Sequence, residues 1–312
     1  MALKIKHLLG LHGVGKEDIT EILDAARGFQ EILERQIKKV PTLRGKTIVN
    51  LFYENSTRTL ISFELAETRL SGDVVNFSTS TSSVKKGETL KDTIRNIAAM
   101  KIDMVVVRHA SAGVPKYLTE CTDAVIINAG DGANEHPTQA LLDMLTMRDH
   151  FGKLAGLKVV IIGDIAHSRV ARSNIWGLTT MGADVWLCGP ETLLPGSAAA
   201  FGKNVHITSN IEKALHGADV VMALRIQLER NAGSSLPSLN EYRALYGLTP
   251  ERLTLTGKSD YLVMHPGPIN RGIEINTDAA DGNKSVILRQ VTNGVAARMA
   301  VLYLLGGGAE NG

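Results

Sequence analysis

Lys46–Thr59 reads KTIVNLFYENSTRT, in which a short β-branched and apolar run over Lys46–Tyr53, crossed only by Asn50, passes through Glu54-Asn55 into Ser56-Thr57-Arg58-Thr59. A run that is apolar on both faces, with no alternation, is what a strand of a parallel sheet covered on both sides looks like. The hydroxyl-rich step after it opens a helix over Thr59–Leu70, closed by Gly72. Strand, turn and helix form the unit that recurs along this chain.

Working outward, further strands are predicted at Val74–Phe77, Asp103–Arg108 and Ala124–Asn128. A second set is predicted at Leu157–Gly163, Ala183–Leu187, Val205–Thr208, Asp219–Leu224 and Tyr261–His265. Helical patterns fall at Glu17–Lys39, with Ile19, Ile22, Leu23, Ala26, Leu33 and Ile37 near one face, and at Thr89–Met100, His136–His150 and Val295–Leu305. Alternation repeated twice predicts an α/β chain of two doubly wound parallel-sheet domains joined by interdomain helices. The first domain is expected over 1–150, with a C-terminal helix at 292–306 packing back on it, and the second over 151–291. The boundary is read near Phe151-Gly152-Lys153. Arg225–Leu255, polar and broken by Gly233 and Pro237, is read as a candidate mobile loop.

Composition narrows the function classes. The 312 residues carry 34 Lys+Arg and 32 Asp+Glu, a net +2 that argues against a generally basic nucleic-acid binder. There is no apolar run near the ~18 residues of a membrane span, and the N-terminus shows no convincing cleavage site. Cys121 and Cys188 make no disulfide framework and no CxxC. A reduced, cytoplasmic protein is the expectation. The nine histidines form no HExxH, so no metal site is expected, and His7 and His12 are read as terminal surface residues.

Several clusters carry possible chemistry. Hydroxyls, one guanidinium and the amides of a helix start make Ser56–Thr59 a phosphate cradle, or Ser56 or Thr57 simply caps the helix. Ser78–Glu88 (STSTSSVKKGE) is a lid bringing Lys85 or Lys86 to an anion, or a solvated loop. Arg108 ends a strand, where open α/β sheets bind ligands, or is a surface arginine pairing with a nearby carboxylate. His136 and Gln139 project together from a helix start opened by Pro137, where an imidazole can donate to a developing oxyanion, or His136 is a histidine satisfied within interdomain packing. Gly163-Asp164…Ser168-Arg169 lacks the GxGxxG of a dinucleotide site, which disfavours a nicotinamide oxidoreductase. Arg225 and Gln227 alternate on one side of an extended segment as a carboxylate clamp, or belong to a plain charged loop. His265-Pro266-Gly267-Pro268 fixes a sharp turn that presents backbone carbonyls to a ligand amine, or is only structural.

In this order, STRT at Ser56–Thr59, the Ser82–Thr89 lid, Val107-Arg108-His109, HPTQ at His136–Gln139, the Gly163–Arg169 turn, Arg225–Arg230 and HPGP at His265–Pro268 resemble the aspartate/ornithine carbamoyltransferase family. The likeness runs from about Leu3 to Leu305. It implies carbamoyl phosphate in the first domain and an amino-acid acceptor in the second, with no metal or organic cofactor. Ser56, Thr57, Arg58 and Thr59 match the phosphate signature. Arg108 matches a contact to phosphate and carbamoyl oxygen, His136 a donor to that oxygen, and Gln139, Pro266 and Gly267 the carbamoyl-amide site. Arg169, Arg225 and Gln227 match residues that hold the two carboxylates of L-aspartate. Ser82 and Lys86 match lid residues that reach a neighbouring subunit's site, which implies a homotrimer with shared sites.

The same resemblance implies aspartate over ornithine, since the ornithine enzymes carry HCLP where this chain has HPGP. The alternatives are an ornithine-type acceptor and a non-catalytic scaffold homologue. The turn departs from the HPLPR of some aspartate enzymes: it runs HPGPINRGIE, which displaces Arg271 by two residues. That form resembles a subgroup some of whose members work alone and some beside dihydroorotase, so dihydroorotase or regulatory chains are candidate partners.

Overall fold

The computed structural model describes residues 3–78, 88–226 and 238–307. The chain divides into one compact unit of 1–145 with 292–312 and a second of 146–291.

In the first unit α1 (Lys16–Leu33) precedes β1 (Thr47–Phe52), α2 (Thr57–Arg69), β2 (Asp73–Ser78), α3 (Leu90–Ala99), β3 (Met104–His109), α4 (Val114–Thr119) and β4 (Val125–Asp131). The sheet is parallel, in the order β2-β1-β3-β4. α5 (Pro137–Phe151) crosses the division at Leu145/Thr146. The second unit holds β5 (Lys158–Ile162), α6 (Arg169–Thr180), β6 (Asp184–Cys188), β7 (Val205–Thr208), α7 (Ile211–Leu215) and β8 (Val220–Ala223). There follow α8 (Leu239–Tyr246), α9 (Pro250–Leu253), β9 (Leu262–Met264) and α10 (Thr277–Ala280). Its parallel sheet runs β7-β6-β5-β8-β9. α11 (Ile287–Leu305) crosses back at Val291/Thr292.

The central strands β1, β3, β5 and β8 are buried along almost their whole length, as apolar runs require, and so is β9 at the end of the second sheet. One core cluster of the first unit joins Leu51, Ile94, Val105, Val107, Leu118 and Ile126. In the second unit Val160, Ile162, Val221, Tyr242 and Val263 form part of another. No described helix is long and apolar enough to cross a membrane.

Three expectations need correction. α1 stops at Leu33, and Ile37 lies beyond it, 76% exposed. The run Glu34–Lys39 is too polar to anchor further turns, and the chain instead ties to the end of α2 through Val40 N donating to Arg69 O at 2.7 Å. Of the stretch read as a mobile loop, residues 239–246 and 250–253 are helical. Ser238 and Thr249 cap them, and Tyr242 and Tyr246 are buried. Finally, His7 is no idle surface residue. Its Nδ1 accepts from Ile126 N at 3.0 Å while Leu8 bridges to Ile127, so the N-terminal segment covers the free edge of β4.

Candidate active site

In an open α/β sheet, ligands bind beyond the carboxyl ends of neighbouring strands whose connections run to opposite sides. In the first unit β1 leads through α2 to β2 on one side, and β3 leads through α4 to β4 on the other. The switch point is therefore between β1 and β3. β1 ends in the step to Ser56–Thr59, and Arg108 stands opposite Phe52 at the end of β3.

The start of α2 is unusual in its capping. Elsewhere Thr89, Ser168, Asn210, Ser238, Thr249 and Asn276 stand at N-caps and accept a bond from an amide of the first turn. Ser56 stands at the N-cap of α2 and makes no such bond. Its hydroxyl is turned toward Thr59, donating to Oγ1 at 2.9 Å. The positive end of the helix thus keeps its amides uncapped by the Ser56 side chain, flanked by two hydroxyls and Arg58. Arg58 and Thr57 are exposed and Thr59 is buried. The base of α2 is held by buried Glu67, which accepts from Asn50 Nδ2 at 2.8 Å. Burial pushes its carboxyl up to about 8, against the pull of that hydrogen bond.

Arg108 is 9% exposed. Between the pairs Val107–Asn128 and His109–Asp131 β4 carries one residue more than β3, so a bulge at Ala129-Gly130 falls opposite Arg108, and such bulges are common beside ligand sites. Its guanidinium donates to Ala129 O at 3.2 Å and pairs with Glu54 at 3.2 Å. Glu54, in the β1–α2 step, escaped the sequence reading, because nothing local marks it as the partner of a residue on another strand.

His136 and Gln139 start α5, with Gln139 N donating to His136 O at 3.0 Å. Both are buried. The approach to His136 is tightly fixed. Asp131 Oδ1 accepts from Asn128 Nδ2 at 2.8 Å and from Glu135 N at 3.1 Å. Glu135 in turn accepts from Leu11 N at 2.6 Å and His12 N at 3.1 Å. Gly132, at φ +49°, lies where a Cβ would stand 2.9 Å from Ala110 O. Such a frame holds the imidazole's backbone without reorganisation.

Behind these groups lies a residue the sequence reading missed. Arg298, on α11, is 4% exposed, donates to Ser62 Oγ at 3.1 Å and Gly294 O at 2.9 Å, and sits 5.1 Å from the Phe63 ring centroid. Burial pulls it down to about 10; the Asp143 carboxylate opposes that pull and the Arg58 charge adds to it. A lone arginine in the otherwise apolar stretch Val295–Leu305 was the available signal.

In the second unit the switch point lies between β5 and β8. Arg169 follows β5 as the first residue of α6 and is buried, behind Ser168, which caps Ala171 N at 3.1 Å. Arg225 follows β8 and is half-buried. Gly163, at φ +138°, lets the end of β5 pass Leu224, where a Cβ would stand 3.0 Å from Leu224 Cβ. Ser82, Lys86 and Gln227 lie outside the described residues.

The turn after β9 has its own scaffold. Gly267, at φ +67°, donates its amide to His265 Nδ1 at 2.8 Å, so the ring proton sits on Nε2 and faces Glu274 Oε1 at 3.1 Å. Glu274 also accepts from Asn270 N at 2.6 Å, and Asn270 Nδ2 donates to Ile226 O at 3.1 Å, beside Arg225. The departure in this turn thus has a physical role: Asn270 and Glu274 brace it. Displaced Arg271 instead pairs with Asp281 at 2.8 and 2.9 Å on the surface.

Fold and site together define a two-unit, doubly wound α/β protein with arginines placed at both sheet switch points. Residues 6–149 match the carbamoyl-P binding domain of the aspartate/ornithine carbamoyltransferases and residues 155–305 their Asp/Orn binding domain; the chain belongs to that family. It is 58% identical over 310 residues to an aspartate carbamoyltransferase catalytic subunit of Syntrophotalea carbinolica, covering 99% of this chain and 98% of that one. To the subunit of the same name from Geobacter sulfurreducens it is 56% identical over 308 residues, covering 99% and 98%. Among solved structures, Trypanosoma cruzi aspartate transcarbamoylase in complex with N-(phosphonacetyl)-L-aspartic acid matches with a TM-score of 0.86 at 32% identity, 96% of each chain being covered. Ornithine carbamoyltransferase from Pyrococcus furiosus matches with 0.87 at 29% identity, covering 98% and 99%. Backbone shape does not separate the two acceptors, so that choice falls to side chains and sequence identity.

Proposed function

We propose that the chain transfers the carbamoyl group of carbamoyl phosphate to the α-amine of L-aspartate, giving N-carbamoyl-L-aspartate and phosphate. The observation that carries this reading is the unused cap of α2, hydroxyls and arginine included, at the switch point beside Arg108. Near 58% identity to an aspartate carbamoyltransferase catalytic subunit supports aspartate as the acceptor.

The phosphate rests on the start of α2 with Ser56, Thr57, Arg58 and Thr59. Gln139 and the carbonyls of Pro266 and Gly267 receive the carbamoyl NH2. Arg169, Arg225 and Gln227 hold the carboxylates of aspartate. Its neutral amine attacks the carbamoyl carbon and forms the C–N bond, while negative charge gathers on the carbonyl oxygen. Arg108, His136 and Thr59 donate to that oxygen. The C–O bond to phosphate then breaks, and the departing phosphate, its charge held by Arg58, takes the proton lost by the amine.

Ser82 and Lys86 complete the site of a neighbouring subunit in a homotrimer. Exposed Ile61, Leu65 and Val75, on α2 and the edge strand β2 just before that segment, support this edge as the interface. The reaction is the second step of de novo pyrimidine synthesis and takes place in the cytoplasm, in keeping with two free cysteines. Dihydroorotase or regulatory chains are candidate partners.

A steady-state assay with aspartate and ornithine in parallel tests the assignment. Carbamoyl-aspartate is the expected product, and turnover with ornithine alone overturns the acceptor. Mixing Arg58→Ala and Lys86→Ala chains tests the shared site: activity returns in mixed trimers, and its absence there counts against sharing.

A further inference from the structure

One helical turn separates Gln139 from Asp143, so both side chains share a face of α5. Gln139 Nε2 donates to Asp143 Oδ1 at 3.0 Å, and Asp143 is fully buried while Gln139 keeps 9% of its surface exposed. A side-chain amide has one donor end and one acceptor end, whereas an ionised carboxylate only accepts. Turning the amide round would set Oε1 against the carboxylate, so this contact fixes which end points away from Asp143. That end is the acceptor. Asp143 also faces buried Arg298: its carboxylate holds the guanidinium's charge up against burial, and Ser62, Gly294 and Phe63 hold that arginine in place.

An acceptor at that position distinguishes acyl phosphates. The NH2 of a carbamoyl group donates a hydrogen bond to it; the methyl of an acetyl group of almost the same shape does not. We propose that Asp143, backed by Arg298, is a positioning residue that holds the Gln139 oxygen toward the acyl donor and so makes the site select an NH2 over a methyl on the acyl carbon, an inference that rests on the carbamoyl transfer proposed above.

The test is the ratio of kcat/KM for carbamoyl phosphate to that for acetyl phosphate, with aspartate as acceptor. Asp143→Ala frees the amide to present either end, and the ratio falls about tenfold, chiefly through carbamoyl phosphate. Asp143→Asn, whose carbonyl oxygen still accepts from Nε2, retains most of the selectivity. Should Asp143→Ala fail to fold with Arg298 left uncompensated, the paired Asp143→Leu/Arg298→Met chain replaces both charges with apolar groups, and the same fall in ratio is expected. An unchanged ratio in a folded variant, both rates dropping together, assigns Asp143 to the fold alone and overturns the inference. No turnover of carbamoyl phosphate by the unaltered chain would instead overturn the functional reading, and the inference with it.

Discussion

The two units present helix starts at equivalent topological positions, α2 after β1 and α6 after β5, and use them in opposite ways. Both have serine at the N-cap and an arginine close behind. In α6 the Ser168 hydroxyl accepts from the first turn and Arg169 is buried at the helix's first position. In α2 the Ser56 hydroxyl turns to Thr59 and Arg58 stays exposed. A capped helix start has spent an amide on its own side chain, and what remains to recognise an anion is the guanidinium, a planar fork suited to one carboxylate. An uncapped start adds amides and hydroxyls, a curved set of donors suited to the several oxygens of a phosphate. On the function proposed above, two sequences that look alike would divide a phosphate from a carboxylate by the rotation of one serine.

The contrast breaks most visibly at the arginines. Arg58→Ala removes the charge proposed to hold the leaving phosphate, and kcat is expected to fall by about 10²–10³, as when one transition-state donor is lost. Arg108→Ala should cost as much, because the oxyanion loses its guanidinium. If either variant instead raises KM for carbamoyl phosphate while kcat stands, its arginine binds substrate and transition state alike, and its role in holding the charge that develops in the reaction is mis-assigned.

The second switch point is expected to respond differently. Arg225→Ala removes the charge-assisted bond proposed to a carboxylate of aspartate, worth about 1.5–3 kcal/mol, so KM for aspartate should rise roughly 10- to 100-fold. Carbamoyl phosphate binding, measured by calorimetry without aspartate, should be unaffected. A parallel loss of carbamoyl phosphate affinity would show that the division between the two starts does not hold.

How much of this could be read beforehand follows from the range of the interactions involved. The strands were legible because burial on both faces leaves continuous runs such as Val159–Ile162, and the positions of Arg108, Arg169 and Arg225 follow from being next to a strand end. The α8 helix was not legible, since its apolar face consists of Leu239, Tyr242 and Tyr246 among polar neighbours and Gly233 and Pro237 break the stretch before it. Glu54 beside Arg108, Asp143 behind Gln139 and Glu274 behind His265 were not legible as functional partners. Each is an ordinary acid until another side chain is brought to it, and only one of the three pairs, Gln139 and Asp143, has helical spacing that local inspection could find. The end of α1 was misjudged for a related reason: Ile37 continues the apolar period, yet the fold gives that turn nothing to pack on.

The smallest expected effect is the most discriminating, because it isolates the serines. Ser168→Ala deletes a hydroxyl that accepts from Ala171 N, so it should lower stability by about 1 kcal/mol, the usual value of an N-cap. The aspartate site should bind as before, since Arg169 is untouched. Ser56→Ala deletes a hydroxyl that caps nothing, so chemical denaturation should show a smaller loss. What it should lose is phosphate: the thermal stabilisation that inorganic phosphate gives the unaltered chain shrinks, while Ser168→Ala retains it in full. The two substitutions are the same chemical change at the same helix position, so helix propensity and side-chain entropy cancel between them. Equal losses of stability, with phosphate binding intact in both, would mean that the Ser56 hydroxyl caps α2 in solution, and the distinction between the two helix starts would fall.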